Sequence, residues 1–245
     1  MHSAETFDAV LERIAAGMTD SAIAAETGLP RRTVYRWRRR PKSSSRRSAQ
    51  NPCGTAHDFS TLPPSSYCYL LGLYLGDGCI SRMNRVWRLR IVLDAKYPGI
   101  IEECRKAIDC VMPGQRAAAL SRKDNSVEVS LYSKHWPCLF PQHGPGLKHQ
   151  RTISLAPWQQ ALVAQSAQDL IRGLIHSDGC RVVANDRGVA SIRYHFTNYS
   201  EDILRIFTDS LNQLDIPWTR PTLRMIAVYR KSATARLDEF IGPKG

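Results

Sequence analysis

The chain has 245 residues, 43% of them hydrophobic, and carries 34 Lys and Arg against 22 Asp and Glu, a formal net charge of +12. That length allows one large or two modest domains with a real core, and the charge favours polyanionic partners, nucleic acid before acidic membrane. No run nears the ~20 apolar residues of a membrane span, no basic-then-apolar signal layout opens the chain, and seven cysteines without a C-x-x-C pair point to reduced thiols in a cytoplasmic protein rather than a disulfide framework or zinc ribbon.

Residues 1–40 read as a small all-helical head. Phe7, Val10, Leu11 and Ile14 share a face of a first helix. Thr19 or Asp20 caps a second helix that ends near Thr27, and Gly28 makes the turn. Pro30 opens a third helix, with Val34 and Trp37 inward and Arg31, Arg32, Tyr35 and Arg36 outward. The stretch "DSAIAAETGLPRRTVYRWRRR" resembles the helix-turn-helix of resolvases and small bacterial regulators. That resemblance implies that the third helix enters the major groove. Arg38, Arg39, Arg40 and Lys42 are expected to grip phosphates rather than read bases. Residues 41–65 are rich in Pro, Ser and charge, with few large apolar side chains, and read as a flexible basic linker.

From about residue 66 the chain repeats itself. "GLYLGDGC" (72–79) and "GLIHSDGC" (173–180) place Asp77 and Asp178 at the ends of apolar helices, 101 residues apart. After each comes an alternating run. Trp87, Leu89, Ile91 and Leu93 oppose Arg88 and Arg90; Ile192, Tyr194 and Phe196 oppose Ser191, Arg193, His195 and Thr197. Period two means half-buried strands. A helix follows each, the second with Ser200 as its N-cap. Next come matching strand ends, "VSLYSK" and "IAVYRK", which set Lys134 against Lys231. The two halves, 66–156 and 157–245, are joined by a loop and a helix from about Trp158.

An aspartate is a poor ending for an apolar helix, because it opposes the helix dipole by about 0.3–1 kcal/mol. Gly72 and Gly76, like Gly173 and Ser177, are small residues at i and i+4, so two such helices can pack backbone to backbone. Gly78 and Gly179 are then expected to close the helices in the left-handed conformation. Asp77 and Asp178 would meet, each raising the other's pKa. Hard divalent cations relieve that conflict, held by Asp77, Asp178 and the carbonyls of Gly76 and Ser177. Metals within a basic surface suit phosphodiester hydrolysis.

The sequences "LLGLYLGDG" and "IRGLIHSDG" resemble the two copies of the LAGLIDADG motif, and residues 66–245 resemble a single-chain LAGLIDADG homing endonuclease. The resemblance implies an α+β fold with a duplicated, pseudo-two-fold αββαββα order whose two antiparallel sheets form a saddle over double-stranded DNA. It implies a Mg²⁺-dependent endonuclease, with Ca²⁺ or Mn²⁺ as substitutes, acting as a monomer with an internal pseudo-dimer and no membrane role. Asp77 and Asp178 would bind the metals. Lys134 and Lys231 would be the basic residues near them, with Lys96 as an alternative, and Arg88, Arg90, Arg193 and His195 would contact DNA. The joined head resembles free-standing actinobacterial proteins of this build. His176, standing where the motif's first aspartate would be, is expected to be an interface residue; His135, His143 and His149 fit no ligand spacing and read as solvated loop residues. The competing reading is a transcription regulator that keeps this fold for DNA binding without cleavage. RNA binding or splicing assistance is a third.

Overall fold

A computed structural model describes residues 4–39, 52–186 and 188–244, with the chain dividing into a unit through His57 and a unit from Asp58. In the first unit lie α1 (Ala4–Ala15), α2 (Asp20–Thr27) and α3 (Arg31–Arg39). Thr19 caps α2 by accepting from the Ala22 N–H at 3.3 Å, which satisfies one of the donors a helix start leaves open. The sequence spacing puts Val10, Ile23, Leu29 and Val34 in one small core, with Ile14 and Trp37 packed against it. Trp37 meets Phe7 edge-on, ring centroids 4.8 Å apart. One expectation fails here. Arg38 is not available to phosphate, because its guanidinium pairs with Asp20 at 2.7 Å and donates to the Met18 carbonyl. It braces α3 against the start of α2. Arg40 and Lys42 lie outside the described residues.

Of the expected linker, residues 41–65, the end from Asp58 belongs to the second unit. Residues 40–51 lie outside the described residues. From Asp58 the chain is packed into the second unit: Asp58 caps a 3₁₀ turn at Phe59–Thr61, and the Phe59 ring stacks on Trp158 at 4.0 Å. Phe59 and Leu62 are half-buried and pack this stretch against the core.

The second unit is α+β and realises the duplicated order. Its first half runs α4 (Pro64–Gly76), β1 (Gly78–Arg82), β2 (Trp87–Asp94), α5 (Pro98–Val111), β3 (Ala118–Ser121), β4 (Ser126–Ser133) and α6 (Trp136–Leu139). Then α7 (Pro157–Gln165) leads into the second half, which runs α8 (Ala167–Asp178), β5 (Gly179–Asp186), β6 (Val189–Thr197), α9 (Glu201–Gln213), β7 (Thr219–Thr222), β8 (Met225–Val228) and α10 (Lys231–Asp238). Each half builds a four-stranded antiparallel sheet, ordered β1-β2-β4-β3 and β5-β6-β8-β7. The alternation decides the faces: Leu89, Ile91 and Leu93, like Tyr194 and Phe196, are buried, so Arg88, Arg90, Arg193 and His195 stand on the opposite faces.

What binds the halves is α4 against α8. Leu70, Leu71, Leu73 and Leu75 on one helix and Leu170, Ile171, Leu174 and Ile175 on the other are fully buried. At about 2 kcal/mol each, these side chains outweigh the cost of ending two helices on acids. The contact is tight where sequence spacing placed it. A Cβ on Gly72 would stand 2.6 Å from the Leu170 carbonyl oxygen, and one on Gly173 would collide with the Tyr69 carbonyl. Gly78 and Gly179 correct an expectation: neither takes a positive φ. Each is the first residue of a strand, and glycine is needed there because a Cβ would press on the preceding turn, 2.5 Å from Tyr74 Cα and 2.7 Å from Ile175 Cα.

Candidate functional site

Side-by-side packing of α4 and α8 brings their C-terminal ends together. A Cβ on Gly76 would run into the Ser177 hydroxyl and stand 3.2 Å from Asp178 Cγ, so only a small residue at 76 lets the two acid-bearing ends meet. Asp77 and Asp178 feel each other there. Burial, then the Asp178 carboxylate, push Asp77 up to about 6, against the pull of Lys148 and Lys244. Asp178 is also raised by burial, while Asn198, Lys148 and Lys244 favour its charge. The Asn198 amide donates to Asp178 Oδ2 at 2.7 Å, which leaves Asp77 as the acid that takes up the first proton.

Two lysines complete the site, and neither is the pair expected from the sequence. Lys148 Nζ donates to the Gly76 carbonyl at 2.7 Å. Lys244 Nζ donates to the Gly179 carbonyl at 2.7 Å and the His176 carbonyl at 3.0 Å. Each ammonium thus satisfies backbone oxygens that a helix end leaves open. Burial lowers Lys148 to about 8 even though Asp178 and Asp77 hold its charge; Lys244 is also lowered by burial, against the pull of Asp77. Lys134 and Lys231 are exposed. The register explains why: Gly78, next to Asp77, pairs with Ile91, whereas Ser133 pairs with Trp87, four residues along β2, about 13 Å away. In the second half β8 leaves β6 at Tyr194↔Val228 and Lys231 lies three residues beyond. Lys96 is exposed and its ammonium sits 4.9 Å from the Tyr97 ring centroid.

The placement of Lys148 and Lys244 had a signal in the sequence. The sequences Gly146-Leu147-Lys148 and Gly242-Pro243-Lys244 follow the last short helix of each half, and both glycines take a left-handed φ, 75° and 65°. That conformation, cheap only for glycine, turns each loop back so that the lysine reaches the helix ends. A G-x-K repeat is short and sits in loops of different length, so strand alignment alone passes over it.

The remaining expected residues fall as follows. The Gly76 carbonyl is at the site and bonded by Lys148. The Ser177 hydroxyl turns into its own helix, donating to the Gly173 and Leu174 carbonyls. His176 is buried between the helices, Nδ1 2.9 Å from the Tyr69 hydroxyl, and burial pushes it down to about 3, so it is a neutral interface residue. His143 departs from its solvated reading: it is half-buried and meets Trp87 edge-on at 5.0 Å. A cavity of about 410 Å³ beside the acids is lined by Gly76, His143, Lys148, Arg151, Asp178 and Asn198.

On the open sheet faces the halves correspond. Arg88 pairs in register with Tyr132 and lies 5.2 Å from its ring centroid. Arg193 lies 5.6 Å from the Tyr229 ring, and His195 meets the same ring at 5.7 Å. On the head, Arg31, Arg32, Tyr35 and Arg36 are exposed on α3, with Arg39 5.5 Å over Tyr35.

The family described as a homeodomain-like domain matches residues 9–48. No curated protein matches the chain. Among solved structures the chain is similar to the homing endonuclease I-DmoI in complex with DNA and calcium, at 17% identity over 73% of this chain and 89% of that one, TM-score 0.46. It is similar to the homing endonuclease I-WcaI bound to its DNA recognition sequence, at 12% identity over 75% and 83%, TM-score 0.48. It is also similar to the N-terminal LAGLIDADG domain of WhiA, at 14% identity over 75% and 88%, TM-score 0.46.

Proposed function

We propose that this protein is a divalent-metal-dependent endonuclease that hydrolyses phosphodiester bonds in a long duplex DNA site. The observation that carries this reading is the meeting of Asp77 and Asp178 at two touching helix ends, each end also holding a buried lysine. Two carboxylates pushed toward protonation by burial, Asp77 also by the Asp178 charge, are unfavourable as a purely structural feature. Their carboxylate oxygens are hard donors that fit Mg²⁺ or Ca²⁺, with Asp77 and Asp178 as the side chains that would hold the ions. Bound there, a divalent cation polarises a phosphate and lowers the pKa of its water.

The chain's own residues supply the rest. Lys148 and Lys244 present ammonium groups beside the acids, where charge develops on a phosphate undergoing attack, and such preplaced groups count for most in a water-poor site. Asn198 fixes the orientation of the Asp178 carboxylate. The basic sheet faces, with Arg88, Arg90, Arg193 and His195, contact the duplex, and α3 of the head adds a second contact that raises effective concentration at the site.

Selection of cleaved duplexes from a random library with Mg²⁺, beside a binding selection in EDTA, tests the proposal. Cut sites that vanish with Asp77→Asn or Asp178→Asn while binding survives are the expected result. Sites recovered only in the binding arm leave a DNA-binding regulator in its place.

A further inference from the structure

We infer that Arg151, anchored by a buried chain of amides, is the positioning residue that holds Lys148 beside the acids. The catalytic part of this inference rests on the endonuclease reading. Lys148 lies in a loop, two residues past Gly146, and carries its charge on a flexible four-carbon stem. Such a side chain keeps one place only if its backbone is fixed, because ordering its rotamers is unfavourable. Its ammonium nonetheless stands 2.7 Å from the Gly76 carbonyl. Arg151 supplies the fixing. Nε donates to the Gln142 carbonyl at 3.2 Å, and Nη1 donates to the Pro145 and Gly146 carbonyls at 3.3 and 2.9 Å. The planar guanidinium thus clamps the turn in which Gly146 takes a φ of 75°.

Behind the turn lie three buried polar side chains that take no part in the chemistry, Tyr67, Gln142 and Gln159. The Gln142 and Gln159 amides bond each other both ways. Gln159 Nε2 also donates to the Tyr67 hydroxyl at 2.7 Å, and that hydroxyl donates to the Leu139 carbonyl at 2.7 Å. Gln142 Nε2 donates to the Ser154 carbonyl at 2.7 Å. Buried amides are costly unless all are bonded, and a bonded network admits one geometry. Here that geometry fixes both ends of the loop carrying Lys148 and Arg151. Tyr67 belongs to α4, the helix that ends beside Asp77, so acid and lysine are referred to one rigid element.

Arg151 also lines the cavity beside the acids, so a direct contact with phosphate is the competing role. The two roles differ in what they depend on. A positioning residue acts through Lys148 and has nothing left to do when that ammonium is gone. A phosphate contact acts for itself, adds to the loss at Lys148 and weakens substrate binding.

The test uses the full chain and two readouts on Arg151→Met, Arg151→Lys and Gln142→Met. The first needs no catalysis: lysines are acetylated with acetic anhydride in EDTA and followed by peptide mass spectrometry. Lys148 should react about tenfold faster in Arg151→Met and Gln142→Met than in the wild type, with Lys244 unchanged and Tm nearly unchanged in Arg151→Met. Arg151→Lys, which restores one donor group, should fall between. The second is a double-mutant cycle on cleavage with Mg²⁺. Arg151→Met should lower kcat about tenfold at constant KM, should do so again in a Lys244→Met background, and should add nothing in a Lys148→Met background. Arg151→Met, a change at a half-exposed loop residue, decides the matter if Gln142→Met does not fold. Equal acetylation of Lys148 in the wild type and Arg151→Met overturns the inference. A raised KM, or a further loss in the Lys148→Met background, overturns it in favour of a phosphate contact. A wild type that cuts no duplex overturns the endonuclease reading and the catalytic part with it, while the acetylation rates still decide whether Arg151 places Lys148.

Discussion

Replacing Asp77 with Asn should make the metal-free protein more stable while destroying its site. The carboxyl is raised from 3.8 to about 6, by burial first and Asp178 second. An acid with a raised pKa in the folded state is favoured there in its protonated form. Its ionisation therefore costs nothing below the unfolded pKa, near 4, and costs its full amount above about 6. A gap of about two pKa units corresponds to about 3 kcal/mol. Asn keeps the volume and cannot ionise, so Asp77→Asn should exceed the wild type by about that amount at pH 7.5 and match it near pH 3.5. Urea unfolding in EDTA across pH 3.5–8 measures the difference between the two proteins. Adding Mg²⁺ should then stabilise the wild type alone, by about 2.7 kcal/mol at a hundred times its Kd. A difference that is flat across this window, or a variant less stable at pH 7.5, would refute the account of Asp77 as a strained carboxylate awaiting a cation.

Gly173→Ala places a methyl against the Tyr69 carbonyl with backbone on both sides; it should cost about 3 kcal/mol in urea unfolding. Lys148→Met or Lys244→Met should slow cleavage about 100-fold with DNA binding intact, whereas Lys134→Met and Lys231→Met should leave cleavage unchanged in the same gel assay. Arg38→Ala should loosen the head by about 1 kcal/mol, seen as faster amide exchange in α2 and α3, with little loss of phosphate affinity. A chain beginning at Asp58 should bind DNA more weakly and with a shallower salt slope, yet cut at the full rate when protein saturates the substrate; loss of cutting at saturation would disprove the tethered-head idea.

The half-buried strands, the inward Trp37 and the Gly72–Gly173 helix contact were all readable, because they depend on periodicity and on side-chain size at fixed spacing. The pairing of Asp77 with Asp178 followed from the same local rules applied twice. The lysines did not. Lys134 and Lys231 match each other in the duplication, but strand register carries them along the sheet away from the helix ends. Lys148 and Lys244 reach the acids through loop turns at Gly146 and Gly242. Arg38 was misread for a related reason: a basic run on a helix looks uniformly exposed until Asp20 folds back to meet one member.

Sequence by itself determined which helices could touch at backbone distance, which strand faces were apolar, and that two acids had to end side by side. Those are consequences of residue size and alternation, which act within a few positions. Only the tertiary structure decided which lysines attend the acids and that Asn198 distinguishes one carboxylate from the other. Each of these joins residues whose separation is closed by loop paths and strand register, and long-range geometry of that kind leaves no periodic trace in the chain.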